Sequence, residues 1–193
     1  MMKKGAGIVL MAFWACAEMG ADVASTTLRV SFDDARRGEV AQIVAGGRDY
    51  ASPVARFPLF EIACCPAGQF TNRVVASSRN AKAFAAEAAP DGVRLVYRDV
   101  AGALDEVVCT VAAKGPDLVW RIAATPKPGW ALFETRYPLF ALNECLGSTP
   151  VDDCVVMGNS KGGVLRYPMR PGRAYWKERR FGHYPGNLVA QFG

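Results

Sequence analysis

Histidine is almost missing from this chain: His183 is the only one among 193 residues. Cysteine occurs six times but never as a CxxC pair or in a His/Cys cluster, so nothing has the ligand spacing of a zinc site. No Ser or Cys around Phe181-Gly182-His183-Tyr184-Pro185-Gly186 forms a recognisable nucleophile motif, which leaves a catalytic triad without support. Helical heptads, βαβ alternation and internal repeats are also lacking, which argues against coiled coils, doubly wound sheets and solenoids. Beyond the N-terminus no apolar run approaches the length of a membrane span.

The N-terminus reads as an export signal over residues 1–17. Met1-Met2-Lys3-Lys4 is the basic region, Gly5 to Trp14 a short apolar region, and Ala15-Cys16-Ala17 the small residues before cleavage at Glu18. A lipoprotein anchor at Cys16 is the alternative, ill-suited because bulky Trp14 occupies a small-residue position of the lipobox. Removing the signal takes away Lys3 and Lys4 and lowers the formal charge from +5 to +3, too mild an excess to imply a polyanionic partner. The expected product is exported, periplasmic or extracellular, with no integral membrane segment. An oxidising compartment permits disulfides, and Cys145 with Cys154 are spaced to close a short loop. Cys64 and Cys65 are neighbours on a strand, point to opposite faces and should not pair; with Cys109 they read as buried thiols.

What the chain does have is β-forming residues in short runs, with 19 Gly and 12 Pro between them. The pattern predicts an all-β fold, an antiparallel β-sandwich, over one domain spanning residues 25–193. Leu118–Thr125 and Trp130–Leu142 read as two long strands around the turn Pro126-Lys127-Pro128-Gly129. Apolar on both faces, this pair is expected inside the layers, with the other strands beside it. Leu28–Phe32, Glu39–Ala45 with a Gly46-Gly47 hairpin turn, Pro58–Cys65, Ala83–Ala88, Val93–Val100 and Glu106–Ala113 are further strands. Gln69 to Ala81 reads mostly as loop. Val164–Tyr167 and Asn187–Phe192 read as late strands, the second cut short by the end of the sequence, which points to an incomplete domain.

Several groups are candidates for chemistry. Gly158-Asn159-Ser160-Lys161-Gly162-Gly163 lacks the Gly-Lys-Ser/Thr order and following helix of a phosphate loop, and a turn is the better reading. Glu134 and Arg136 stand two apart on one strand face, either as a structural ion pair or as ligand contacts. Asp152-Asp153 reads as a solvated turn. Lys161–Arg180 interleaves seven basic residues with Tyr167, Tyr175 and Trp176 against the single acid Glu178. Such arginine–aromatic surfaces suit nucleic acids or sugars, and export argues against nucleic acid. The candidate ligand-binding set is Trp130, Glu134, Arg136, Arg173, Tyr175, Trp176 and His183; no metal or cofactor is expected.

Phe140-Ala141-Leu142, Asp152-Asp153, Val156-Met157-Gly158, Gly162-Gly163-Val164-Leu165-Arg166 and Tyr184-Pro185-Gly186-Asn187-Leu188-Val189-Ala190-Gln191-Phe192 follow one another in a characteristic order. That order resembles the N-terminal sandwich of large bacterial exported glycoside-hydrolase-like proteins, where a galactose-mutarotase-like supersandwich precedes a (β/α)8 barrel. The hairpin Gly38–Tyr50 is similar to the opening hairpin of such sandwiches. The resemblance implies an accessory domain that packs on a catalytic barrel absent from this sequence, with no catalytic residue of its own here. A free-standing glycan-binding module stacking sugars on Trp130, Tyr175 and Trp176, and a structural envelope domain without ligand, are the other two readings.

Overall fold

The computed structural model describes residues 20–143 and three further strands, 154–157, 163–166 and 190–192. The expected signal peptide therefore lies outside the described residues.

Three antiparallel sheets share one core, as the alternation of apolar and polar residues predicts for a β-sandwich. The first is a meander of β1 (Asp22–Ala24), β2 (Leu28–Asp33), β3 (Glu39–Ala45) and β4 (Arg48–Asp49). The β3–β4 hairpin turns at Gly46 and Gly47, whose φ of 57° and 79° are both left-handed, as a primed two-residue turn requires. The chain then lays down β5 (Glu61–Pro66) and β6 (Val74–Ser77). A second meander follows: β7 (Ala81–Ala89), β8 (Gly92–Val100), β9 (Leu104–Lys114) and β10 (Asp117–Pro126). β11 (Trp130–Arg136) returns to pair with β5, completing the small sheet β11-β5-β6.

Each sheet contributes its apolar face to the core. Val30, Phe32, Val40 and Ile43 come from the first sheet, Ile62, Cys64 and Ala76 from the small one, and Leu95, Tyr97, Val107, Cys109 and Val111 from the second meander. Trp120 of β10 ties them together, edge-on to Phe32 at 5.8 Å and to Tyr137 at 6.1 Å between ring centroids. β12 (Cys154–Met157), β13 (Gly163–Arg166) and β14 (Ala190–Phe192) form another antiparallel sheet in the order β13-β12-β14.

Three expectations need correction. The strands around Pro126–Gly129 are not a hairpin: β10 pairs with β9 and β11 with β5, so the turn carries the chain from one sheet to another. Lys127 anchors this crossover, its amide donating to the Ala103 carbonyl and its ammonium meeting Asp99 at 2.5 Å. Nor is the pair central. β10 and β11 are both edge strands: Leu118, Trp120 and Ile122 lean on the core as alternation predicts, but β11 is exposed from Leu132 to Arg136. The run predicted to continue to Leu142 stops at Arg136, where Pro138, which has no amide hydrogen, lies two residues on. Finally, Gln69 to Ala81 is not mostly loop. It contains β6 and a 3-10 turn at Ser78–Asn80, masked in the sequence because a short strand of four residues leaves no period to read.

Candidate functional site

The small sheet carries the sequence-predicted candidates that the structure describes. Its inner face is Ile62, Cys64 and Ala76, all fully buried. Cross-strand partners share a face, so the registers build the outer face in rows: Val75, Ala63 and Glu134 in one, Ser77, Glu61 and Arg136 in the next. Arg136 and Glu134 thus emerge on the same side, two residues apart. Arg136 Nε donates to Glu134 Oε1 at 2.8 Å, and its Nη1 lies 3.7 Å from Glu61 Oε2. The bond to Glu134, helped by the charge of Glu61, holds the Arg136 guanidinium above its ordinary pKa. Both side chains are exposed, so the pair contributes little to stability.

A bulge shapes the rest of this face. Leu132 opposes Cys64 and Glu134 opposes Ala63, which leaves Phe133 as the extra residue without a partner on β5. Phe133 is 41% exposed and carries the Arg73 guanidinium 3.5 Å from its ring centre. Arg73 precedes β6, on the far side of β5 from β11, so its side chain crosses β5 over the outer face. Arg73 Nε also donates to the Phe70 carbonyl at 3.3 Å. Near this stack in the chain are Phe70 at 78% and Val75 at 54% exposure, the second on the outer face; Leu132, 45% exposed, opposes Cys64 and so belongs to the inner-face side of this edge strand.

Trp130 starts β11 half-buried and packs against the core, so its ring serves the interior on at least one face. Arg173, Tyr175, Trp176 and His183 lie outside the described residues, as does Cys145. Cys154 begins β12, and its side chain is likewise not described. Cys64, Cys65 and Cys109 are free and buried, as expected. Burial, with the nearby Cys65 behind it, pushes the Cys64 thiol up, and burial pushes Cys109 up to about 12 against a small opposing effect of Tyr137. Among the described residues no group of three or more His, Cys, Asp or Glu is placed to hold a metal ion. No helix there is long and apolar enough to cross a membrane.

Sequence reasoning singled out Trp130, Glu134 and Arg136 but missed Arg73, Phe133, Val75 and Glu61. Bulge placement and strand neighbourhood bring these together, and neither is written in the local pattern. Comparison with protein-family models and with curated proteins finds no match to this chain. The architecture therefore defines its class: an antiparallel, mostly β, sandwich-like protein.

Proposed function

We propose that this chain is the accessory, non-catalytic sandwich domain of an exported carbohydrate-active protein of the glycoside-hydrolase kind. In this reading the outer face of β11-β5-β6 packs against the catalytic barrel. The galactose-mutarotase-like grouping belongs to the same proposal and rests on the sequence resemblance. The carrying observation is the exposure of Phe70, Val75 and Phe133, with Glu61, Glu134 and Arg136 in the same outer-face rows as Val75 or beside them. Contiguous exposed apolar groups with a polar rim mark protein contact surfaces, whereas a free sheet face is ordinarily polar.

The test has two stages. The reading frame past Gly193 is first inspected for βα repeats; the protein including them is then expressed with and without Val75→Ser/Phe133→Ser. The double variant is expected to release the sandwich from the barrel, seen as new protease cleavage between them and lower glycosidase activity. A frame without such repeats, or a double variant with unchanged cleavage and activity, defeats the reading.

A further inference from the structure

We propose a second site, on the first sheet, that binds a small polyhydroxylated carboxylate about the size of a sugar acid. It lies between the β2–β3 pair and the segment Ala51–Arg56, in a cavity of about 470 Å³. That volume falls within the usual range for small-molecule sites. The proposal stands on this cavity alone and does not depend on what the small sheet packs against.

A second bulge makes the cavity. Ser31 opposes Gln42 and Phe32 opposes Val40, so Ala41 is the extra residue on β3. Arg56 folds back to this break, its Nη1 donating to the Val40 and Ala41 carbonyls at 3.2 and 3.1 Å. The segment that carries it is pinned at several points. The Asp49 Oδ1 accepts from the amides of Ile43 and Ala51, the Ser52 hydroxyl accepts from the Ala55 amide, and the Ser52 amide donates to the Ala141 carbonyl. The guanidinium is thereby held in one orientation, with Nε and Nη2 left over among the described residues.

Two observations point to a ligand. Arg56 is half-buried, yet none of the ion pairs among the described residues involves it. A fixed, partly desolvated guanidinium with spare donors is suited to a carboxylate, which it grips in a fork. Ser31, which also lines the cavity, is 4% exposed, and its hydroxyl has no hydrogen-bond partner among the described residues. A buried hydroxyl left unpaired costs free energy that a bound partner recovers.

The rest of the lining sets the ligand class. Gln42 and Ser31 can donate or accept, while the carboxylates of Asp33 and Asp49 accept only. Two acids beside one arginine disfavour a multiply charged phosphate and favour one carboxylate accompanied by hydroxyl donors.

Isothermal titration of the full chain with galacturonate, glucose and inorganic phosphate tests the assignment. Galacturonate is expected to bind saturably, at least about tenfold more tightly than glucose or phosphate. Arg56→Met should weaken it by about tenfold or more. Ser31→Ala should weaken it severalfold without lowering the melting temperature, because no bond is lost in the free protein. If Arg56→Met does not fold, Ser31→Ala decides. Absence of saturable galacturonate binding, equal binding of glucose or phosphate, or unaltered affinity in Ser31→Ala overturns the proposal.

Discussion

The Tyr97 hydroxyl, buried between the sheets, donates to the Arg37 carbonyl at 3.0 Å, and a Cβ on the next residue, Gly38, would lie 2.6 Å from that hydroxyl. Gly38 also has a φ of +73°, in the left-handed region. The β2–β3 connection thus closes onto β8 only with glycine here. Gly38→Ala is expected to cost on the order of 2 kcal/mol or more in chemical unfolding, from crowding and strained backbone together.

The two buried tyrosines should respond differently to loss of their hydroxyls. Tyr97→Phe removes a real bond and strands the Arg37 carbonyl, at a cost of about 1 kcal/mol. Tyr137→Phe removes a buried hydroxyl whose interaction among the described residues is the weak one with the Cys109 thiol, and should cost less than Tyr97→Phe. Urea unfolding of both variants checks the contrast; equal losses would contradict it.

Glu39 is 3% exposed, and Arg79 Nε meets its Oε1 at 2.6 Å while Arg79 Nη2 donates to the Arg56 carbonyl at 3.0 Å. Arg79→Ala leaves the Glu39 carboxylate buried and unpaired, with an expected cost of about 3 kcal/mol. Adding Glu39→Gln to that variant removes the stranded charge and should restore part of the loss in the same unfolding assay. A double variant no better than Arg79→Ala would show that the buried charge is not the cause.

Asp99 binds Lys127 through Oδ1 and Lys82 through Oδ2, both at 2.5 Å, and hydrogen bonds from the two ammoniums hold its carboxyl below the usual pKa. A lowered folded-state pKa gives stability that is present above the unfolded value, near 4, and lost as pH falls through the folded value. The melting temperature of the wild type should therefore exceed that of Asp99→Asn at neutral pH and converge with it in acid below about pH 4. Asn is the right control because Asp99 has a φ of 50°, a conformation that Asn tolerates. A gap that persists unchanged into strong acid would refute the linkage.

Thiol chemistry gives the last expectation. The thiolate is the reactive form, and both burial and a raised pKa suppress it at Cys64 and Cys109. Peptide mapping after iodoacetamide treatment at pH 8 should find Cys64, Cys65 and Cys109 unmodified in the native protein and labelled after denaturation. Rapid native labelling of Cys109 would contradict its placement in the core.

Residues near one another in sequence determined the strands and tight turns. Alternation marks β3 at Glu39–Ala45, and Gly46-Gly47 supplies the two left-handed positions its hairpin needs. Ala81–Ala89 forms a strand despite its alanines, as the following Pro90-Asp91-Gly92 turn implies. The opposite facing of Cys64 and Cys65 follows from the two-residue period alone. Only the tertiary structure decided which strands are neighbours. A strand apolar on both faces satisfies the same pattern at a sheet centre or at an edge, so the sequence placed Trp130–Leu142 inside, while pairing with β5 put β11 at the margin. The bulges at Ala41 and Phe133 were equally illegible, because skipping one residue depends on the partner strand. Those two skipped residues aim the side chains of both candidate surfaces, which is why the fold class could be read along the chain and the sites could not.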